Sequence, residues 1–234
     1  SRGLGDVYKR QLIYLIKKYP KSKAVCIVMV GVLAVELFAN SADTIDKIDT
    51  DVAYSKYTSY EPYMTQTRNA VSMMKEYDPS LFYRMEATFH RTVNDPIGTG
   101  YKGISHSSST MNAPALMMLH KLGYAYGGHY TKYDGTTFMT DALFDIKYLM
   151  DKTGNTSFVG TRVKVPEEYK LTTEYTEGDA TYKFYNNPNA LGLGMVSSPS
   201  IEDVSLSEDN PFENQNMVFN ALAGTTKEYF TKIP

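Results

Sequence analysis

Residues 24–39, AVCIVMVGVLAVELFA, form an apolar run interrupted by one charge, Glu36. From Leu12 up to this run stand Lys17, Lys18, Lys21 and Lys23 with no acid. After it come Asp43, Asp46, Asp49 and Asp51 against a single Lys47. This asymmetry is the positive-inside pattern. It predicts a transmembrane helix over residues 24–40 whose N-terminal side lies in the cytoplasm, followed by an extracytoplasmic domain over residues 41–234. Sixteen residues fall short of a hydrocarbon core about 30 Å thick. The run therefore needs snorkelling stems from Lys21 and Lys23 and interfacial seats for Leu37 and Phe38. Glu36 lies within a turn of the outer end, where a carboxylate reaches interfacial water.

A secretory signal peptide, with a small-residue site near Ala39, Ser41 and Ala42, fits the same stretch. The apolar piece LIYLI before the lysines, in a chain that starts at Ser1, favours an internal membrane helix instead. Residues 12–23 then read as the end of a preceding membrane helix and a cytoplasmic turn, KKYPKSK. Residues 1–11, SRGLGDVYKRQ, resemble a translated adapter and are expected to be non-native. The domain is expected to be truncated at its C-terminus.

Beyond the run the period changes several times. Residues 43–63 show no helical period and read as an extended lead-out. Residues 65–77 space Val71, Met74 and Tyr77 helically and stop at Asp78 and Pro79. Residues 81–89, LFYRMEATF, alternate as a strand, with Leu81, Tyr83, Met85 and Ala87 on one face and Arg84 and Glu86 on the other. A Gly- and Asn-rich loop follows over 93–109. Residues 112–122 form a helix closing on Gly123, with N-caps expected from the segment 107–110. Residues 141–151 read as an amphipathic helix or a helix running into a strand. FVGTRVKV, YKLTTEY, ATYKFYNN and ALGLGMV read as strands, and 214–224 as a last helix. The expected fold is membrane-anchored α+β: one transmembrane helix, then a mixed α/β extracytoplasmic domain with helices first and a small, mostly antiparallel sheet later.

Composition narrows the chemistry. With 42% hydrophobic and 21% charged residues the chain has globular content, and its net charge of −2 gives no footprint for nucleic acid. Its one cysteine, Cys26, lies in the apolar run, so the chain can form no internal disulfide. Twenty tyrosines and no tryptophan suit sugar stacking, and equally suit strands and a wet surface. His90, His106, His120 and His129 include no helical i, i+4 pair, so no metal site is expected. GISHS lacks the second glycine of a nucleophile elbow, and GTGYKG lacks the strand-then-helix setting of a dinucleotide site. Asp141 and Asp145, one helical turn apart, fit either a carboxylate pair or a helix cap and a solvated face. Asn155 heads an NTS glycosylation sequon.

The strongest local candidate is an anion site. Ser107, Ser108 and Ser109 precede a helix whose free N–H groups and dipole favour a phosphate, with Arg84 or Lys102 adding charge-assisted bonds. The competing reading has the serines cap the helix and Arg84 pair with Glu86 or a neighbouring strand.

The run FYRMEATFHRTVNDPIGTGYKGISHSSST, with DALFDIKYLMD and KFYNNPNALGLGMV after it, resembles the bacterial membrane protein YfhO family. The resemblance covers residues 24–234. It is carried by Phe82, Tyr83, Arg84 and Glu86, by Asn94, by Gly103 through Ser109, by Lys147 to Leu149, and by Tyr185, Asn187 and Pro188. His106 stands where the family resemblance leads one to expect an aromatic residue. Members look like multi-spanning GT-C glycosyltransferases, which move a sugar from a polyprenyl-phosphate donor to a cell-surface polymer such as lipoteichoic acid. The resemblance implies a catalytic acid in an upstream outer loop, no cofactor, and three partners: the lipid bilayer, a lipid-linked sugar donor and a polymer acceptor. The substrate-binding candidates are Arg84, Glu86, Asn94, Lys102, Ser107, Ser108 and Ser109. The alternative is a non-catalytic, membrane-tethered domain that binds glycan or protein.

Overall fold

In a computed structural model the chain is described over residues 2–51, 56–154, 160–161 and 163–233. It divides into two units, Ser1–Lys56 and Tyr57–Pro234. The sequon at Asn155 and part of the expected FVGTRVKV strand lie outside the described residues.

The first unit is a pair of helices, α1 (Arg2–Lys18) and α2 (Lys23–Asp51). Between them Ser22 starts α2: its hydroxyl accepts the Val25 N–H at 3.5 Å and its carbonyl the Cys26 N–H at 3.3 Å. Lys23–Ile48 has a mean hydropathy of 2.1, and none of its most apolar window is buried within the protein. Its 26 residues reach roughly 39 Å at 1.5 Å each, the last turns carrying Asp43, Asp46 and Lys47 beyond the apolar run. The extended lead-out expected over 43–63 is corrected: α2 continues to Asp51 and a third helix, α3, spans Tyr57–Tyr77. Hydrophobic period fails as a guide at the end of α2 because residues 40–48 are exposed. The turns are joined by local contacts instead, a Lys47–Asp43 ion pair at 2.8 Å and a Thr44 hydroxyl donating to the Asn40 carbonyl at 2.7 Å.

The second unit is built on a four-stranded sheet. Its strands are β1 (Arg84–Ala87), β6 (Ile146–Gly154), β8 (Lys170–Glu177) and β9 (Ala180–Asn186), in the order β1-β6-β9-β8. β1 runs parallel to β6, and the other two pairings are antiparallel. A parallel pair needs a crossover. That crossover carries β2 (Phe89–His90), α4 (Asp95–Thr99), β3 (His106–Ser107), α5 (Ala113–Lys121), β4 (Ala125–Gly127), β5 (Tyr130–Lys132) and α6 (Phe138–Leu143). Helices and strands therefore interleave, rather than helices coming first. β7 (Gly160–Thr161) pairs with β2, and β3, β5 and β4 form a small separate sheet. The last helix, α7 (Pro211–Ala223), ends on Gly224 at φ 63°. Residues 190–196, expected as a strand, form none; with three glycines-or-small residues among them they have little to pack on a sheet.

Both faces of the main sheet are covered, which is why the consecutive residues Tyr148, Leu149 and Met150 of β6 are all buried. α3 lays Tyr63, Met64, Ala70, Val71 and Met74 on one face, against Met85, Ala87, Tyr148, Met150, Tyr182 and Phe184. Ile146, Leu149, Ile104, Tyr124, Tyr133 and Tyr169 fill the other. Ile146 and Tyr148 face opposite sides although two residues apart, because the β1–β6 register slips between Arg84 and Met85 and leaves Lys147 as the extra residue. Of the apolar face expected for 81–89, Met85 and Ala87 are buried and Leu81 is exposed. Tyr77, expected on the packed face of α3, is also exposed. Gly135, at φ 76°, lets the turn before α6 close: a Cβ there would stand 2.3 Å from the Gly123 carbonyl.

Leu149 is fully buried, and shortening it leaves a cavity on the face beneath the crossover. Leu149→Ala is expected to lower unfolding free energy by about 2–5 kcal/mol in denaturant titration. A loss under about 1 kcal/mol would contradict this packing.

Candidate functional site

The crossover loop after α4 is gathered by one carboxylate. Glu86 points away from the α3 face of β1 and is 1% exposed. It accepts the backbone N–H groups of Ile104 and of Ser105, the latter at 2.9 Å, and the Ser105 hydroxyl at 3.5 Å. Charge-assisted bonds to backbone donors stabilise a buried anion and fix the loop that supplies them. Gly103 makes the approach possible: a Cβ on it would lie 2.6 Å from Glu86 Oε1. The Lys102 carbonyl accepts the Met85 N–H at 2.9 Å, and Asn94 grips the Ser107 backbone at both ends, at 2.7 and 3.2 Å. Asp95 organises the turn before α4, accepting the Tyr63 hydroxyl at 2.7 Å and the N–H groups of Arg91 and Thr92 at 2.6 and 3.0 Å.

This loop and α5 enclose a cleft of about 620 Å³, within the size range of small-molecule sites. Ile97, Met111, Ala115, Leu116, Met118 and Leu119 give it apolar walls. Arg84, Lys102, Ser105, His106 and Thr131 give it a polar side. Arg84 Nη1 donates to the Phe144 carbonyl at 2.7 Å, one of the five N–H donors of its guanidinium. Lys102 Nζ donates to the Leu81 carbonyl. The arrangement is a largely apolar slot to whose lining Arg84 and Lys102 both contribute, the Lys102 ammonium being turned to the Leu81 carbonyl. Among the described residues no group of three His, Cys, Asp or Glu side chains is close enough to hold a metal ion.

The seven candidates of the sequence thus separate. Arg84 and Lys102 line the cleft; Glu86 and Asn94 build it from behind through backbone bonds. The three serines do not form the expected anion cradle. α5 starts at Ala113, and its N-cap is Asn112, whose side chain accepts the Ala115 N–H at 3.0 Å. Ser107 belongs to β3, and Ser108 spends its hydroxyl on the N–H and hydroxyl of Thr110 at 3.2 and 3.1 Å. Ser109 is exposed. Of the competing reading, the serine caps give way to the Asn112 cap, and Arg84 bonds the Phe144 carbonyl just ahead of β6.

Sequence reasoning missed the polar groups that hold the crossover from inside. Asp141 and Asp145, read as a carboxylate pair or a cap and solvated face, are each buried in separate surroundings. Asp141, in the first turn of α6, accepts the hydroxyls of Tyr133 at 2.8 Å and Tyr169 at 2.7 Å. Asp145 adopts φ 54° and accepts the Gly192 N–H at 3.2 Å. Burial raises Asp141 to about 6, against the opposing pull of the two tyrosine hydroxyls, and burial also raises Asp145. Tyr133 and Tyr169 are in turn held protonated by burial and by Asp141. The same Tyr133 donates its N–H to the Ser105 hydroxyl at 2.9 Å, so the buried acid connects through one residue to the cleft wall. At the strand edge Asp78 receives Lys147 at 2.6 Å and Tyr148 at 2.9 Å. Although burial opposes it, these bonds and those from Ser80 hold its carboxyl well below the usual range.

A family model described as bacterial membrane protein YfhO matches residues 9–234. No curated protein and no solved structure matches the chain.

A carboxyl whose pKa is raised on folding binds its proton more tightly in the folded chain. Asp141 should therefore favour the folded state most below about pH 4, and that contribution should fade as pH rises to about 6. The expected loss across this window is at most roughly 3 kcal/mol, and Asp141→Asn should remove it. Denaturant titrations at successive pH values check this; parallel wild-type and variant curves would contradict it.

Proposed function

The chain belongs to the bacterial membrane protein YfhO family, and from that premise we propose that it is part of a membrane glycosyltransferase taking a sugar from a polyprenyl-phosphate donor to a cell-surface polymer such as lipoteichoic acid. The second unit, Tyr57–Pro234, forms an extracytoplasmic wall of the donor site, and α2 crosses the bilayer with the lysine-rich turn inside. The observation that carries this reading is the meeting of Arg84 and Lys102 on a cleft whose remaining walls are largely aliphatic. A lipid-linked glycosyl phosphate has the matching division, an anion beside an apolar carrier. The charge bias across α2, lysines before and aspartates after, supports the orientation.

Chemically, the unit's task in this reading is binding and charge stabilisation. When the glycosyl–oxygen bond breaks, negative charge grows on the departing phosphate. Cations lining the cleft would stabilise that charge more in the transition state than in the ground state. Arg84 is already oriented by its bond to the Phe144 carbonyl, so little reorganisation is needed. The general base that takes the acceptor proton lies, on the family resemblance, in another loop of the whole protein.

In cells expressing the complete reading frame, Arg84→Gln combined with Lys102→Gln is expected to reduce sugar incorporation into the surface polymer by at least tenfold. Membrane levels of the protein should be unchanged. Wild-type incorporation by the double variant would overturn the assignment of these two cations.

A further inference from the structure

Two polar atoms on the cleft wall are buried without a hydrogen-bond partner among the described residues: His106 Nδ1 and Thr131 Oγ1. The two residues are directly opposite one another in the β3–β5 ladder, so their side chains leave the small sheet on the same face. Both line the cleft that holds Arg84 and Lys102. Thr131 is 2% exposed, and leaving a buried hydroxyl unanswered is costly, because it forfeits its bonds to water and gains none in return. A Val in its position would have the same shape without that penalty. A bound ligand is one way such a group gains its missing partner.

Resting on the donor reading above, we propose that His106 and Thr131 form a hydroxyl-reading pair that selects the sugar ring of the donor, while Arg84 and Lys102 hold its phosphate. The chemistry fits a hexose. The threonine hydroxyl can donate and accept, and the imidazole nitrogen can accept from one ring hydroxyl or donate to another. Neighbouring hydroxyls on a sugar ring offer both roles side by side, and the aliphatic walls at Leu116 and Leu119 can receive the ring's C–H edge. A site built to bond hydroxyls rejects ligands that lack them, since its own buried polar atoms are then left unpaired.

The test is calorimetric binding to the 234-residue chain in lipid nanodiscs. The probes are inorganic phosphate and the 1-phosphates of glucose, galactose and N-acetylglucosamine, with wild type, Thr131→Val, Thr131→Ser and His106→Phe. Wild type is expected to bind at least one sugar phosphate about tenfold or more tightly than inorganic phosphate, a ratio worth about 1.4 kcal/mol. Thr131→Val should abolish that preference while keeping phosphate affinity and keeping or raising Tm, and Thr131→Ser should retain it. His106→Phe should also lose the preference. If wild type binds phosphate with no preference for any sugar phosphate, or if Thr131→Val changes Tm and leaves the preference intact, the hydroxyl-reading assignment falls and the phosphate site stands. If wild type binds neither phosphate nor sugar phosphate, both fall together.

Discussion

A buried carboxylate gathering backbone N–H groups organises the second unit. Glu86 stands on the strand that closes one edge of the main sheet and reaches into the crossover loop at Ile104 and Ser105. An isolated charge at this depth would be prohibitive. Its bonds to the loop backbone offset that cost, and in doing so fix where the cleft wall runs. Met85, its neighbour on the opposite face, packs under α3. One strand thereby couples the helix-covered core to the loop that bears Lys102, Ser105 and His106. Removing the Glu86 side chain would leave these backbone donors buried and unanswered, a loss larger than that of a single neutral hydrogen bond.

The same device recurs through the unit. Asn94 binds the Ser107 backbone, Asn187 bonds the Ile146 carbonyl at 3.1 Å, and Asn214 and Gln215 take the Lys121 and Leu122 carbonyls at 2.7 and 2.8 Å. The last two satisfy carbonyls at the C-terminal end of α5, a helix end that has no partners of its own. Long crossover segments with little regular structure need such clamps, since their backbone groups have no ladder to join. The polar residues Arg84, Lys102, His106 and Thr131 are set off from these by lining the cleft. This division between residues that build the cleft and residues that line it supports the proposed role of each.

Much of the architecture was legible in the sequence where burial imposes a period. The end of α3 at Asp78 and Pro79, the α5 helix closing on Gly123 and strands β8 and β9 follow from apolar spacing and turn residues, while at 141–151 spacing leaves open a whole helix or the helix-to-strand passage that forms. Spacing failed where no packed face exists, as in the last turns of α2. It failed again at 190–196, where apolar residues separated by glycines mimic a strand and stay exposed. In the candidate site, Arg84 and Lys102 stand out in the sequence because cations near a loop can meet an anion, and both line the cleft. Glu86 and Asn94 were found for the wrong purpose, since nothing in a linear sequence distinguishes a polar side chain that binds backbone from one that binds ligand. Thr131 was missed because its only signal is the lack of a partner, which needs three dimensions to see. The serines misled because a run of cap-forming residues does not reveal which one stands at the helix start; Asn112, next to Ala113 and Pro114, does.

The proposed role requires α2 to cross the bilayer with the lysine turn inside and the cleft-bearing unit outside. Cysteine accessibility in intact bacteria tests it most directly, because Cys26 is the one native cysteine and can be replaced by Ala. In that background Asp209→Cys, at an exposed position of the second unit, should react with a membrane-impermeant maleimide in intact cells. Lys21→Cys, in the turn between α1 and α2, should react only after the cells are permeabilised. Labelling of Lys21→Cys in intact cells, with Asp209→Cys protected until permeabilisation, would contradict the account.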